Sequence, residues 1–361
     1  MRDDELLVAS SYGAAGASTR VRALDWLRHL RLPATIHSYL GTADVRPGTL
    51  REQPIGVVRA EMRLRAMRLR PAPARVMISR TMGPFTRGRV EAGLLHRARW
   101  GVYDFDDALW ADVRPGVHRI FGQPVVWERA VRSADQVIAG NAYLAEAAAA
   151  LNPEVRVIPS CVEPSDYRMK REYALGPVPR LVWMGSPSTE PYLQVIAPAL
   201  LSAHRETGAR LTLVSAGQRP LGELDRMVDR VPWRGAQTHD VLAAADIGIM
   251  PLPDTAFTRG KCAYKLLQYG ASGLPVIASP VGVNAEVIGQ LGGVPAAGST
   301  ACWLDAVLGV LGESDAARAA RGRRARTAVE ELYSFAAWRP EFLRALHLPG
   351  DVGSPDACAV E

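Results

Sequence analysis

Residues 246–279 read DIGIMPLPDTAFTRGKCAYKLLQYGASGLPVIAS. The runs 246–252 and 274–279 are short, apolar and continuous, and the stretch between them has helical spacing. Continuous apolar strands on either side of a helix belong to a parallel sheet covered on both faces. The same segment holds two of the chain's three lysines, Lys261 and Lys265. A helix opening after Gly260 places Lys261, Lys265 and Gln268 at i, i+4 and i+7 on one face, with Tyr264, Leu267 and Ala271 turned to the core. Its first turn offers unsatisfied N–H groups and the positive end of the dipole. With Arg259 beside it, this is an anion site suited to a phosphate or diphosphate. A plain solvated basic face is the alternative.

Working outward, the same alternation runs through the chain. Strands are expected at 6–11, 34–40, 75–79, 100–105, 136–140 and 155–160 in the first half. The second half offers 180–185, 209–217, 246–252, 274–279 and 292–296. Helices are expected at 18–30, 87–98, 120–133 and 141–150, and at 330–346 with a break or kink at Pro340. Two such series predict an α/β protein of two doubly wound domains. The boundaries fall at 1–162, a polar, proline-marked linker 163–179, and 180–329, with a disordered tail at 349–361.

Composition narrows the class. The 361 residues are 48% apolar, with a net charge of +6, enough for two cores and permissive of an anionic partner. No apolar run reaches membrane-spanning length, and the acidic opening MRDDELLVAS lacks the basic start of a signal peptide. The four cysteines form no CxxC pair, so neither zinc nor a disulfide framework is expected, and a cytoplasmic setting fits.

Four further stretches carry chemistry. SYGAAGASTRVR (11–22) is a glycine-rich turn between strand and helix, with Ser18 or Thr19 as candidate cap. YDFDDALW (103–110) gathers Asp104, Asp106 and Asp107 at a strand end, where carboxylates serve as metal ligands, as helix caps (Asp106 or Asp107) or as partners of a cationic acceptor; a metal is the less favoured of these. GSPST (185–189) could cradle a phosphate or cap a helix. The basic stretch 58–75 reads as a solvated arginine face, with contact to anionic lipid as the alternative. It has no aromatic residue to stack a base, which disfavours nucleic acid.

The segment 245–288, with VYDFDDALW (102–110), 136–167 and LVWMGSPSTEPYL (181–193), resembles the retaining GT-B glycosyltransferases of family 4, in a DDxLW-type subgroup. The resemblance implies two Rossmann-like domains and a C-terminal helix, 330–348, crossing back to the first. It also implies a nucleotide-sugar site in the cleft and no metal or other cofactor. Many relatives carry two glutamates eight positions apart where this chain has Gly260 and Gln268. The phosphate role then falls to Arg259, Lys261 and Lys265, with Gln268 toward the ribose. Gly13, Gly16, Gly185, Ser186, Ser279, Gly282 and Glu286 complete the implied donor set. Arg20 and the three aspartates form the implied acceptor set, with Asp106 also near the chemistry. The implied activity is transfer from a UDP-type donor to a cationic aminocyclitol such as 2-deoxystreptamine or paromamine, an antibiotic-pathway step. A lipid or polysaccharide acceptor, a pseudo-glycosyltransferase and a non-catalytic nucleotide-sugar sensor are the rivals.

Overall fold

Two six-stranded parallel sheets organise the chain. In a computed structural model, residues 6–112, 122–234, 238–350 and 352 are described. The first sheet contains β1 (Leu6–Ser10), β2 (Thr35–Ser38), β3 (Arg75–Ser79), β4 (Trp100–Phe105), β5 (Gln136–Ala139) and β6 (Val155–Val157), in the order β2-β1-β3-β4-β5-β6. The second contains β7 (Arg180–Met184), β8 (Arg210–Val214), β9 (Val228–Val231), β10 (Ile247–Met250), β11 (Val276–Ala278) and β12 (Val294–Pro295), in the order β12-β11-β10-β7-β8-β9. This is the expected pair of doubly wound α/β sheets. The strand order reverses between β1 and β3 in one sheet and between β7 and β10 in the other. Ligands of open α/β sheets collect beyond the carboxyl ends of strands at such points.

The first compact unit comprises Met1–Ser160, Gly260–Cys262 and Trp338–Glu361. Its helices are α1 (Ala17–Thr19), α2 (Asp25–Leu30), α3 (Pro47–Glu52), α4 (Pro54–Leu69), α5 (Arg89–Arg97), α6 (Gln123–Ser133) and α7 (Ala142–Ala149). A π-helical turn, Arg20–Leu24, joins α1 to α2. Residues 113–121 lie outside the described residues, as does most of the tail expected at 349–361.

The second unit comprises Cys161–Arg259 and Ala263–Ala337. Its helices are α8 (Ala197–Thr207), α9 (Thr238–Ala244), α10 (Ala256–Arg259), α11 (Tyr264–Ala271), α12 (Asn284–Leu291), α13 (Thr300–Gly312) and α14 (Asp315–Leu332). Helix α15 (Phe335–Ala345) follows, and its residues from Trp338 onward count with the first unit. There the Phe342 ring stacks on Trp26 at 4.0 Å with the planes 1° apart. Such a contact adds about 0.5–1.5 kcal/mol beyond area burial.

Three details depart from expectation. Pro340 lies inside α15, and the helix breaks instead at Tyr333–Ser334, before α15 starts. The strand expected over 209–217 stops at Val214, and β9 was not anticipated. In β9, Asp229 and Arg230 interrupt the apolar pattern because this strand is a sheet edge, where polar side chains are tolerated.

Candidate active site

In the first unit the chemistry gathers beyond the carboxyl ends of β3 and β4. Arg80 follows β3 directly and adopts a left-handed backbone (φ +64°), unfavourable for a residue with a Cβ. The surrounding structure holds it there. Tyr103 Oη donates to the Arg80 carbonyl (2.9 Å). Behind the loop, buried Glu91 accepts from Thr81 Oγ1, Met82 N and Thr86 Oγ1 at 2.7–3.0 Å. Burial pushes the Glu91 carboxyl above its ordinary value.

So held, Arg80 Nη1 donates to Asp107 Oδ2 (2.5 Å), Asp106 Oδ1 (3.1 Å) and Ser18 Oγ (3.3 Å). Lys261 Nζ reaches the other oxygen of Asp107 at 2.6 Å. Burial alone would push the Asp107 carboxyl up, but Lys261 and Arg80 outweigh it and hold the group below the usual carboxylate range. The same contact outweighs the burial of Lys261 and raises its ammonium. Two cations and two anions form a neutral cluster, which suits largely desolvated charges.

Small residues bring the Lys261 segment into this unit. A Cβ at Gly260 would lie 2.6 Å from Ala108 N, and one at Gly140 would lie 2.4 Å from Cys262 Sγ. Asn141 Nδ2 donates to the carbonyls of Gly260 (3.1 Å) and Lys261 (3.2 Å), while its Oδ1 caps α7 at Leu144 N. The Cys262 thiol donates to the Asp106 carbonyl at 3.3 Å, and burial pushes its ionisation up.

This geometry corrects several expectations. No helix begins after Gly260: α11 starts at Tyr264, after Ala263 in a left-handed conformation (φ +53°). Lys261 therefore shares no helix face with Lys265 and Gln268, and its ammonium is held by Asp107 rather than presented at a helix start. Asp104 is fully buried, and Arg22 clamps it with Nη2 at 2.6 Å and Nε at 3.1 Å from Oδ1. It is a core ion partner out of an acceptor's reach. Neither Asp106 nor Asp107 caps the short helix at Leu109–Ala111. Ser18 and Thr19 do not cap α1: Ser18 accepts from Arg80, and Thr19 Oγ1 lies 2.7 Å from Ser10 Oγ. Arg20 makes a 4.0 Å ion pair with Asp25. Gly13 permits close approach of its own chain, since a Cβ there would lie 2.2 Å from the Gly41 carbonyl oxygen.

In the second unit, the loops beyond β7 and β10 carry most of the remaining residues expected at the donor. A Cβ at Gly185 would lie 2.8 Å from Lys265 Cε and 2.6 Å from Trp183 Cη2, so the lysine stem runs along this glycine. The Lys265 ammonium stands 5.3 Å from the centre of the Trp183 ring. Ser186 Oγ pairs with Ser188 Oγ at 2.9 Å, and Thr189 donates to the Ser186 carbonyl rather than capping. Arg259 pairs with Asp254 through Nε (2.6 Å) and Nη2 (3.0 Å), in the open. At Gly282 (φ +57°) a Cβ would meet the Arg259 carbonyl at 2.2 Å, so glycine lets the two loops touch. Ser279 Oγ accepts from Leu252 N (3.0 Å) and fixes the loop after β10.

Two donor candidates sit apart from this group. Gln268 is buried and donates to Tyr167 Oη at 3.2 Å, so its amide is engaged inside the unit. Glu286 accepts from Gln290 Nε2 one turn along α12 (3.0 Å). Beyond the carboxyl end of β9 lies a depression of about 360 Å³ lined by Val231, Pro232, Arg234, Thr238 and Val241.

Arg80 and Asn141 are the residues the sequence reading missed. Arg80 is one arginine among many, and nothing local marks it. Asn141 had a signal, an asparagine before a helical run, which reads as a cap.

Residues 178–313 match the family described as glycosyl transferases group 1. The protein is a glycosyltransferase enzyme with the GT-B fold. Its structure is similar to sucrose-phosphate synthase (tll1590) from Thermosynechococcus elongatus, with a TM-score of 0.67 and 15% identity, covering 95% of this chain and 98% of that one. It is also similar to Anabaena Alr3699/HepE in complex with UDP and glucose, with a TM-score of 0.68 and 14% identity, covering 95% and 99%. AviGT4, a glycosyltransferase involved in avilamycin A biosynthesis, matches with a TM-score of 0.60 and 18% identity, covering 97% and 98%. No curated protein matches the chain.

Proposed function

We propose that this glycosyltransferase moves a sugar, with retention, from a UDP-linked donor to a hydroxyl of an aminocyclitol or amino-sugar acceptor such as paromamine or 2-deoxystreptamine. The observation that carries the donor half is Lys265 alongside Gly185 at the β7–β10 reversal. Its ammonium meets the diphosphate, the depression beyond β9 takes the base, and Arg259 adds a second cation at the loop edge. The HepE structure with UDP and glucose supports this donor class.

In the transfer, the bond from the anomeric carbon to the diphosphate oxygen breaks and the acceptor oxygen bonds to the same carbon from the same face. The acceptor proton goes to the leaving diphosphate, whose charge Lys265 stabilises. With cations at the diphosphate and the aspartates held by Arg80 and Lys261, no divalent ion is required.

Of the three aspartates, Asp106 carries the acceptor reading. Arg80 approaches only its Oδ1, and its side chain is partly exposed. It therefore offers an acceptor ammonium a charge-assisted hydrogen bond. A lipid or polysaccharide acceptor is the second reading, favoured by the apolar side chains α4 exposes.

The test is a mass-spectrometric screen of UDP-sugars against aminocyclitols, neutral polyols and lipid acceptors, with and without EDTA. The proposal expects a glycosidic product with an amine-bearing acceptor, undiminished by chelation. A product only with neutral or lipid acceptors overturns the acceptor assignment. Turnover lost in EDTA and restored by magnesium or manganese overturns the metal-free reading.

A further inference from the structure

Helix α4 is apolar on two opposite sides. Ala60 and Leu64 are buried, and Val57 and Met67 pack on the core beside them. At about 100° per residue, the side diametrically opposite carries Ile55, Val58, Met62 and Leu69. These are 68%, 59%, 63% and 88% exposed, an unusual concentration of large apolar side chains in water on one row. The arginines expected here as a solvated face are exposed and flank this row: Arg59 to one side, Arg68 to the other and Arg65 at its edge.

We propose that this face of α4 docks on an anionic lipid membrane. From residue 55 to residue 69 the row extends about 21 Å at 1.5 Å per residue, enough to lie in the plane of an interface. It is convex and one side chain wide, so it enters an acyl boundary without needing a complementary groove. Arginine stems on either flank extend apolar carbons along the row and place guanidinium groups at headgroup phosphates.

Charge decides between membrane and a second copy. The spacing 55, 58, 62, 65, 69 is that of a coiled-coil seam, which a paired α4 would also satisfy. However, residues 51–70 hold six arginines against two glutamates, and Arg65 would fall within the seam. Glu61 is already engaged by Tyr39 Oη (2.8 Å). Two such surfaces repel each other, whereas anionic headgroups neutralise them. No helix among the described residues is long and apolar enough to cross a membrane. It holds for a soluble or a lipid acceptor.

The experiment is co-sedimentation of the full chain with phosphatidylcholine vesicles, with and without phosphatidylglycerol, beside gel filtration across a range of protein concentrations. Binding to the phosphatidylglycerol vesicles should be at least tenfold tighter. It should fall at least tenfold in Met62→Asp/Leu69→Asp and in Arg59→Gln/Arg65→Gln/Arg68→Gln, and weaken with salt in the parent. UDP affinity should be unchanged in both variants, which shows them folded and separates this proposal from the glycosyl-transfer reading. Equal binding to both vesicle types, no binding, or binding indifferent to both variants overturns it. So does a concentration-dependent dimer that Met62→Asp/Leu69→Asp dissolves, which would assign the face to a second copy.

Discussion

Lys261 and Lys265 stand four residues apart in the sequence and in different chemical worlds. Lys261 belongs to the first unit, where Asp107 takes its ammonium and Arg80 completes a neutral cluster. Lys265 belongs to the second, on α11, its stem against Gly185 and its ammonium near the Trp183 face. One left-handed residue, Ala263, ends the turn that separates them. Equal lysines at helical spacing are therefore not equal ligands. The first is paired with Asp107, and the second carries the proposed donor contact.

The comparison can be broken first where charge is deepest. Asp104 and Arg22 are essentially without exposure, and Arg22 Nη1 also holds the Ile158 carbonyl at 2.9 Å. Arg22→Ala leaves a buried carboxylate without its cation and should cost about 3–5 kcal/mol. Urea unfolding checks this: a loss under 1 kcal/mol would mean that the pair is not what holds β4 to the π-helical turn.

The Lys261 pair is less enclosed, so Lys261→Ala should cost less, about 1–3 kcal/mol at neutral pH. Its pH dependence follows from Asp107. A carboxyl held low in the folded state contributes stability that is fully present above its unfolded value of about 3.9. That contribution is lost as pH falls through the depressed folded value. The gap between parent and Lys261→Ala should therefore close in acid. A gap that stays constant from pH 7 down to acid unfolding would contradict the ion-pair account.

Much of the fold was legible because buried parallel strands are continuous apolar runs. All six strands of the first sheet and four of the expected five in the second appear within a few residues of their readings, and β12 is a two-residue remnant of the fifth. What failed was set by context. The edge strand β9 carries Asp229 and Arg230, so no apolar run marks it. Lys261 looked helical because no local rule anticipates a left-handed alanine at 263. The aspartates were visible as a cluster, but their partner Arg80 lies 26 residues before Asp106, and only the β3–β4 pairing brings it near. Likewise the outer row of α4 is plain in the sequence only once the inward side is known.

The central claim is that Lys265, not Lys261, holds the donor diphosphate. Calorimetry of UDP and uridine against Lys265→Ala and Lys261→Ala tests it most directly. Loss of one charge-assisted contact should cost about 1.5–3 kcal/mol. The account predicts that Lys265→Ala loses this much for UDP and almost nothing for uridine, while Lys261→Ala, measured where it remains folded, binds both nearly as the parent does. Equal losses for UDP and uridine in Lys265→Ala, or a UDP-specific loss confined to Lys261→Ala, would contradict it.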